Sequence, residues 1–335
     1  MKKIKIGVLC PSEIAFRRFM PALIKNENFK FMGVAIANNE EWFGTPSKEL
    51  INAEQGKAQN FIDMYGGRLY TSYGEMLGSN DIDTVYIPLP PALHYMWAKI
   101  ALENRKHILL EKPFTTSLEH TQKLLSLARN SNLAVHENYM FVYHTQLEWI
   151  KKKIVEGVIG EIRLIRIDFG FPFRGVNDFR YNPDLGGGAL LDCGGYTVKL
   201  ANVFLGNTAK VVTSQLNNKE GFEVDMYGSA TLINNDGLTA QVSFGMDNSY
   251  KCSLEIWGST GTLFTNRILT APDGFEPIVF IRQGNEEYSY TLSSDDTFEK
   301  SIKHFEHCIC NEKIRIMHYE EIVQQSAALE KIIKR

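Results

Sequence analysis

Short apolar runs alternate with segments of helical periodicity through the first part of the chain. Strands that alternate with helices form a parallel sheet with right-handed crossovers, so the pattern predicts a doubly wound α/β domain over residues 1–140. Longer β-rich runs separated by turns follow, and they predict an α+β domain over residues 141–335 with an antiparallel meander. Two predicted helices, 297–310 and 319–334, close the chain. The apolar runs of the first domain are residues 4–9, 31–37, 69–71, 84–87, 107–110 and 133–136.

Length and composition restrict the class of protein. A chain of 335 residues exceeds one ordinary core, which favours two domains. A net charge of −3 argues against nucleic-acid and membrane-surface partners, because both require a basic face. The five cysteines are odd in number and lack ligand-like spacing with histidine, so we expect reduced thiols, a cytoplasmic protein and no metal site. The apolar run at the start is too short for a signal peptide or a membrane span, so we expect neither.

The predicted strand at 107–110 ends in Glu111-Lys112-Pro113. Ligands of a doubly wound sheet bind outside the carboxyl ends of its strands, so a charged pair at this point is a candidate for the site. Pro113 must end the strand because it has no N–H, and it holds Lys112 on a stiff turn. A strand that finishes in an ordinary polar turn is the alternative interpretation, and a lone Glu-Lys-Pro would favour it.

Residues 10–15 stand where a dinucleotide-binding Gly-x-Gly-x-x-Gly turn belongs, between the first strand and the first helix. Small residues at Cys10, Ser12 and Ala15 still allow the backbone to approach a pyrophosphate at a helix N-terminus. Ser12 or Pro11 suits the start of the helix, and Glu13 lies favourably in its first turn. Taken alone, the stretch fits a purely structural turn equally well.

The second strand ends in Asn38-Asn39, where NAD-binding sheets carry an acid for the ribose 2′-hydroxyl. No carboxylate at this point repels a 2′-phosphate, and no arginine binds one. The sequence therefore favours NADP(H) over NAD(H) slightly and leaves the choice open. A preference for NAD(H) would indicate that Glu40 or Glu41 reaches the ribose.

The stretch from Phe179 to Tyr196 carries the candidate chemistry of the second domain. Three glycines at 186–188 permit close backbone approach, and a helix-like run begins beyond them. Asp192 and Tyr196 are four residues apart and share one face of a helix. A tyrosine beside a lysine can act as a general acid, because the ammonium group stabilises the phenolate. The alternative is a buried tyrosine bonded to an aspartate.

Several stretches, taken in order, resemble one family over the full length of the chain. The chain is similar to the glucose-fructose oxidoreductase / inositol dehydrogenase / MocA family, and within it to the nucleotide-sugar 3-ketoreductases. The resemblance implies a Rossmann domain, a second domain whose open sheet often mediates oligomers, a nicotinamide cofactor, and a sugar or cyclitol substrate. The matching stretches are Ile6-Gly7-Val8-Leu9 with Ile14-Ala15 and 21–23, 89–94, Glu111-Lys112-Pro113-Phe114, Glu137-Asn138-Tyr139-Met140, 186–192 and 298–305.

The resemblance also implies residue roles. Lys112 matches the family's active-site lysine, which contacts the reacting oxygen, and Asp192 matches the acid before the catalytic position. Position 196 carries histidine in many members, whereas Tyr196 resembles the glucose-fructose oxidoreductase branch and the nucleotide-sugar 3-ketoreductases. Two residues depart from the family pattern: Cys10 replaces the first glycine, and Val142 replaces a basic residue. The residues predicted to bind the cofactor are Cys10, Ser12, Glu13, Ile14, Asn38, Asn39, Leu89, Pro90, His94, Glu111, Lys112 and Asn138.

The leading functional hypothesis is reduction of a keto-sugar, nucleotide-linked, by a nicotinamide cofactor. In this hypothesis Tyr196 gives the proton, and Lys112 polarises the carbonyl and lowers the tyrosine pKa, with Asp192 beside them. His94 and His144 are the next candidates for the acid. Oxidation of a free sugar or cyclitol is the second hypothesis, and a non-catalytic dinucleotide or sugar sensor is the third. The resemblance further implies a homodimer or homotetramer through the C-terminal sheet.

Overall fold

The computed structural model of the protein describes residues 3–334. Its strands are β1 (Ile4–Leu9), β2 (Phe29–Ala35), β3 (Arg68–Tyr70), β4 (Thr84–Ile87), β5 (His107–Leu110), β6 (Val135–Glu137), β7 (Ile162–Gly170), β8 (Lys210–Asn218), β9 (Asp225–Ile233), β10 (Thr239–Gly245), β11 (Lys251–Gly258), β12 (Gly261–Asn266), β13 (Ile278–Gln283) and β14 (Glu286–Thr291). Its α-helices are α1 (Met20–Leu23), α2 (Lys48–Tyr65), α3 (Tyr73–Gly78), α4 (Pro91–Glu103), α5 (Leu118–Asn130), α6 (Thr145–Val155), α7 (Gly195–Leu205), α8 (Thr297–Cys310) and α9 (Glu312–Ile333).

The chain divides into two compact units. The first unit contains residues 3–115, 119–138 and 298–320, and the second contains 116–118, 139–297 and 321–334. The late segment 298–320 returns to the first unit, so a division at residue 140 into two continuous segments does not describe these units. The domain bounds 1–140 and 141–335 stay a prediction. Within residues 3–334, no helix has both the length and the apolar composition needed to cross a membrane.

The first unit is built on a parallel sheet with the strand order β3-β2-β1-β4-β5-β6. This order is that of a Rossmann sheet, and it confirms the predicted doubly wound fold. The strand order reverses between β1 and β4, so the carboxyl ends of these two strands mark the expected ligand site. Both strands end in fully buried residues, Leu9 and Ile87.

Aromatic packing positions the helix that follows β1. This helix begins at Glu13, passes through a π-helical turn over Ala15–Phe19 and continues as α1. Phe19 stacks on Tyr86 of β4, with ring centroids 4.0 Å apart, and both side chains are fully buried. A pair of this kind contributes about 0.5–1.5 kcal/mol beyond its buried area. The contact places the start of the helix beside the switch point of the sheet.

The second unit is built on a sheet with the strand order β14-β13-β12-β11-β7-β10-β9-β8. It is largely antiparallel, as predicted, but it is not a simple meander. Strand β7 lies between β11 and β10 and pairs parallel with β10. Helix α7 packs on β7 and β10, and it covers the face that carries Ile165, Ile167 and Phe169.

The last helix begins earlier than the sequence predicts. It starts at Glu312 rather than at residue 319. Asn311 supplies the reason, because its side-chain oxygen accepts a hydrogen bond from the Ile314 amide at 3.2 Å. An asparagine in this position is a favourable N-cap, and it stabilises a helix start whose apolar spacing is weak.

Candidate active site

The turn after β1 keeps the backbone shape of a glycine turn although its first residue is cysteine. Cys10 has a φ of 132°, a conformation that glycine adopts easily and other residues rarely adopt. The Ser12 amide donates to the Cys10 carbonyl at 2.8 Å, and the Ser12 hydroxyl accepts from the Ala15 amide at 3.2 Å. Ser12 therefore caps the helix, and the backbone has the strand-turn-helix shape of a dinucleotide-binding turn. In this respect the residues fit a bound dinucleotide.

The side chain of Cys10 has a partner that the sequence did not indicate. Its Sγ lies 3.5 Å from Glu54 Oε1 on α2. Burial, together with the Glu54 carboxylate, raises the pKa of the Cys10 thiol above its ordinary range. The thiol therefore stays protonated, and it is not a candidate nucleophile.

Glu41, the acid that follows β2, is engaged by backbone amides and does not take the role expected of an acid that binds NAD(H). The Glu41 carboxylate accepts hydrogen bonds from the amides of Asn38 at 3.0 Å, Tyr73 at 2.9 Å and Gly74 at 2.9 Å. The Asn38 side-chain oxygen accepts from the Glu40 amide at 2.9 Å. Glu41 thus holds the β2 loop to the start of α3. An acid engaged by three amides is poorly suited to bind the ribose hydroxyls as well.

The turn that carries Lys112 is held by hydrogen bonds on both sides. After β5, the Lys112–Pro113 bond is cis. His94 on α4 contacts two carbonyls, that of Pro113 at 2.8 Å and that of Leu89 at 2.7 Å. The Phe114 amide donates to a Glu137 carboxylate oxygen at 2.8 Å. These contacts make the Lys112 turn a rigid part of the first unit.

Glu111 and Asn138, which lie at the ends of neighbouring strands, bind each other. Glu111 Oε1 accepts from Tyr86 Oη at 2.6 Å and from Asn138 Nδ2 at 2.7 Å. The Ser301 hydroxyl on α8 donates to Asn138 Oδ1 at 2.8 Å. The structure thus brings two of the predicted cofactor-binding residues together and adds Tyr86 and Ser301, which sequence reasoning missed. Ser301 lies inside a matching family stretch, so its position, but not its role, was visible in the sequence.

His94 is neutral at physiological pH. Burial lowers the pKa of His94 to about 4, while the carbonyls of Pro113 and Leu89 act in the opposite direction. Its side chain is fully buried, so the cost of moving the charge out of water outweighs the two carbonyl contacts. A neutral imidazole has one N–H, so His94 donates a hydrogen bond to only one of the two carbonyls and packs against the other. The low pKa makes it a poor proton donor in catalysis.

We expect His94 to make the first unit sensitive to acid. The ordinary pKa of 6.5 falls to about 4 on folding, so the unfolded chain binds more protons between these values. The contribution of the neutral His94 to the free energy of unfolding is complete above pH 6.5. It is lost as the pH falls towards 4, and the loss amounts to up to about 3 kcal/mol. Urea unfolding at a series of pH values measures it. His94→Asn should flatten the pH slope, whereas His307→Asn, an exposed control on α8, should not. An unchanged slope in His94→Asn would contradict the assignment.

Tyr196 lies in the first turn of α7 inside an aromatic enclosure of the second unit. Its ring centroid is 5.3 Å from that of Tyr139, 5.7 Å from Phe141 and 5.6 Å from Phe169. Its hydroxyl lies 4.0 Å from the sulfur of Met140. The side chain is only 8% exposed, so its ring position is fixed by packing.

Asp192 precedes Tyr196 in a π-helical turn, Leu190–Gly194, that leads into α7. Arg180 Nε donates to Asp192 Oδ2 at 2.8 Å, and Arg180 Nη1 contacts Asp178 at 3.1 Å. Burial opposes the charge of Arg180, but the carboxylates of Asp192 and Asp178 outweigh it and raise the pKa of the guanidinium. Asp192 is therefore held by an arginine that sequence reasoning did not pair with it. The sequence pattern did not distinguish Arg180 from an ordinary loop residue.

Gly188 and Gly195, which lie before and after this turn, leave room for the protein's own side chains. Gly188 has a φ of 119°, and a Cβ there would collide with the Asp225 carboxylate. The same carboxylate accepts from the Leu190 amide at 2.7 Å and so caps the turn that leads to Tyr196. A Cβ on Gly195 would collide with the Tyr139 hydroxyl. The close approach predicted for the glycine stretch is therefore, in part, an approach to Asp225.

His144 has a structural position. Its Nδ1 accepts a hydrogen bond from the Gln146 amide at 3.1 Å, which makes it the N-cap of α6. The Asp295 carboxylate lies 3.9 Å from the same nitrogen, and it also accepts from the Thr145 amide at 2.8 Å. The roles predicted from sequence for Lys112, Tyr196, Asp192 and the cofactor-binding residues stay predictions. Lys112 belongs to the first unit, and Tyr196 and Asp192 belong to the second.

Two family models and a well-covered relative decide the family. The model described as "Oxidoreductase family, NAD-binding Rossmann fold" matches residues 29–139, and "GFO/IDH/MocA C-terminal domain" matches residues 147–264. The chain is 36% identical over 302 residues to dTDP-3,4-didehydro-2,6-dideoxy-alpha-D-glucose 3-reductase from Actinomadura kijaniata, covering 90% of this chain and 86% of that protein. The chain belongs to the GFO/IDH/MocA family.

Further relatives show which enzymes the chain is similar to. The solved structure of KijD10, a 3-ketoreductase from Actinomadura kijaniata in complex with NADP and TDP-benzene, has a TM-score of 0.91 at 33% identity, covering 99% of this chain and 98% of that one. D-xylose 1-dehydrogenase (NADP(+)) 2 from Haloferax volcanii is 26% identical over 302 residues, or 89% of this chain and 87% of that protein. The chain is an NAD(P)-dependent oxidoreductase, which confirms the predicted enzyme class and nicotinamide cofactor. The expected preference for NADP(H) agrees with the NADP bound to KijD10.

Proposed function

We propose that this protein reduces the 3-keto group of a dTDP-linked keto-sugar with NADPH. The observation that carries the proposal is the 36% identity, over 90% of the chain, to a dTDP-keto-sugar 3-reductase. Oxidation of a free sugar is less well supported, because the D-xylose dehydrogenase relative is only 26% identical. A non-catalytic sensor is not supported, since both Lys112 and Tyr196 are retained.

Tyr196 is proposed as the proton donor to the carbonyl oxygen, and Lys112 as the cation that polarises the same carbonyl. The enclosure of Tyr196 by three rings holds its hydroxyl in one orientation, which favours proton transfer to a positioned oxygen. The rigid turn around Lys112 fixes the backbone from which its side chain extends. Solved structures of KijD10 include a variant with one tyrosine replaced by phenylalanine and a variant with one lysine replaced by alanine. The residues replaced in these KijD10 variants are of the same two types, tyrosine and lysine, as the residues proposed here to be catalytic.

The proposed cofactor site lies at the carboxyl ends of the first unit's strands. The turn at 10–15 would hold the pyrophosphate, and Asn38 and Asn39 would lie beside the adenosine ribose. When bound, NADPH supplies the hydride that reduces the ketone. The protein's own contribution is to hold the turns at Leu89, Lys112 and Asn138 in fixed positions through the bonds of His94, Glu137 and Glu111.

A screen against matched substrates tests the proposed function. The purified protein should oxidise NADPH, followed by loss of nicotinamide absorbance, when given a dTDP-linked 3-keto-sugar. It should show little reduction of NADP+ with D-xylose or free cyclitols. The same sugar without the nucleotide is the matched control and should be a far poorer substrate. Turnover of free polyols without turnover of the nucleotide-linked ketone would overturn the proposal.

We expect NADP(H) to bind more tightly than NAD(H). Asn38→Asp introduces a carboxylate at the end of β2 while keeping the oxygen that accepts from the Glu40 amide. The variant should lose NADP(H) affinity and largely keep NAD(H) affinity, because the new charge repels a 2′-phosphate. Calorimetry with both cofactors at fixed salt measures the ratio, and Asn60→Asp on the exposed face of α2 controls for added charge. A tighter complex of the unmodified protein with NAD(H) would contradict the expectation.

We also propose that a second copy of the chain covers the outer face of the second unit's sheet. Trp257 on β11 is 52% exposed there, and Phe264 pairs across β12 and β13 with Phe280. We expect Trp257→Lys to shift the protein towards monomer in light scattering, because the charge would be buried in the interface. Val155→Lys, at an exposed apolar residue on α6, should leave the oligomer unchanged. A monomeric unmodified protein would refute the proposal.

The cytoplasmic location stays a prediction, supported by the five cysteines and their spacing.

A further inference from the structure

Three histidines that are distant in the sequence meet in the first unit. His136 belongs to β6, His304 to α8 and His318 to α9. Each offers one ring nitrogen, and these nitrogens all lie within 4.8 Å of one another. His136 and His318 are buried, whereas His304 is partly exposed. Their separation in the sequence conceals the cluster, which is why the spacing of cysteines and histidines predicted no metal site.

The hydrogen bonds around His136 determine which of its ring nitrogens carries the proton. Ser301 donates its hydroxyl proton to Asn138 Oδ1, so the Ser301 oxygen must accept from His136 Nε2, 2.8 Å away. His136 Nε2 therefore carries the proton, and Nδ1 carries the lone pair. A hydrogen bond from the second ring nitrogen to a neighbouring oxygen is the usual support of a metal-binding histidine.

His318 presents a lone pair as well. Its Nε2 accepts a hydrogen bond from the Glu137 amide at 3.3 Å, and an accepting ring nitrogen has no proton. A neutral imidazole nitrogen in this state is the form that binds a metal ion. An ion that takes this lone pair must displace the hydrogen bond, and the buried Glu137 amide then loses its acceptor, at a cost that the metal–nitrogen bond has to exceed.

We propose that His136, His304 and His318 bind one divalent transition-metal ion, with water in the remaining position. Three imidazoles suit Zn²⁺ and Co²⁺ better than the oxygen-preferring Mg²⁺ or Ca²⁺. Ligand nitrogens of a tetrahedral ion lie about 3.3 Å apart, which is closer than the limit of 4.8 Å observed here. The rings of His136 and His318 stack with centroids 4.6 Å apart, so binding must turn at least one ring out of the stack. The partly exposed His304 gives the ion its route of entry.

Such an ion would tie β6, α8 and α9 together. It takes no part in the reduction, because the proposed chemistry assigns no role to these three histidines. Its expected effect is therefore on stability: a ligand that binds only the folded state raises the unfolding temperature as its concentration increases. The melting temperature of the first unit should depend on the concentration of added Zn²⁺.

The test uses full-length, tag-free protein treated with EDTA and then dialysed. Calorimetry with Zn²⁺ should give one ion per chain, and Co²⁺ should give the visible absorption bands of a nitrogen-coordinated tetrahedral site. His304→Ala should weaken binding by more than the ~10–100-fold typical of changes around a metal ligand. His307→Ala removes an exposed histidine from the same helix, and it should bind Zn²⁺ as the unmodified protein does.

A second variant guards against misfolding. His304→Gln keeps the length and polarity of the side chain, and its circular dichroism should match that of the unmodified protein while Zn²⁺ binding is lost. The absence of stoichiometric Zn²⁺ and Co²⁺ binding by the unmodified protein would overturn the proposal. Equal binding by the His304 and His307 variants would overturn it too, because it would place the ion elsewhere.

Discussion

Tyr196→Phe is expected to lower kcat by ~10²–10⁴-fold, the usual contribution of a general acid. The change removes one hydroxyl and keeps the ring that packs against Tyr139, Phe141 and Phe169. The fold should therefore survive, and KM should change much less than kcat. Stopped-flow or steady-state oxidation of NADPH on the identified ketone measures both constants.

Lys112→Ala should cause a loss of similar kind, because Lys112 is proposed to act on the same carbonyl. Groups that act as a unit are strongly non-additive, so the double variant should be little slower than the slower single variant. Additive losses in the double variant would show that the two residues act in separate steps.

Tyr319→Phe is the matched control for these variants. It also removes the hydroxyl of a buried tyrosine, in this case one that donates to the Leu133 carbonyl in the first unit. Turnover should stay close to that of the unmodified protein, although stability should fall by about 1 kcal/mol. Nearly unchanged turnover in Tyr196→Phe, with intact folding, would move the acid role to another group. His94 is then a weak candidate because its pKa of about 4 keeps it neutral.

Ser12→Arg is expected to abolish dinucleotide binding. The Ser12 amide and hydroxyl lie in the turn after β1, where the Cys10 backbone holds its φ of 132°. An arginine at this position fills the space that the pyrophosphate requires, so no steric room for the cofactor remains. Calorimetry at millimolar NADP(H) and NAD(H) should show no binding heat for the variant.

Ser12→Ala separates this steric effect from loss of the helix cap. Removing the hydroxyl takes away the bond from the Ala15 amide and should cost about 0.5–2 kcal/mol of stability. Dinucleotide binding should persist, because alanine leaves the space open. If Ser12→Ala loses the cofactor as completely as Ser12→Arg, the cap rather than the space controls binding. If Ser12→Arg still binds the dinucleotide, the pyrophosphate lies elsewhere.

The sequence by itself determined the features that depend on local pattern. Alternation of apolar runs and helical segments sufficed for the Rossmann sheet, because connection handedness and strand pairing follow general rules. Small residues at Cys10, Ser12 and Ala15 sufficed to predict a turn between β1 and the first helix that suits a pyrophosphate, and its role in cofactor binding stays a prediction. Motif order sufficed for the family and for the choice of Lys112 and Tyr196 as candidates. Each of these depends on short local stretches and on their order along the chain, without any knowledge of which side chains meet.

Only the tertiary structure decided the partners of those residues. The Glu41 carboxylate is held by backbone amides, Asp192 by Arg180, and the turn before Tyr196 by Asp225. The parallel pairing of β7 with β10 replaced the simple meander. His136, His304 and His318 meet only after the chain returns to the first unit. The physical reason is the same throughout: hydrogen bonds and metal-ligand distances depend on side chains brought together over long sequence separations, which no local pattern records.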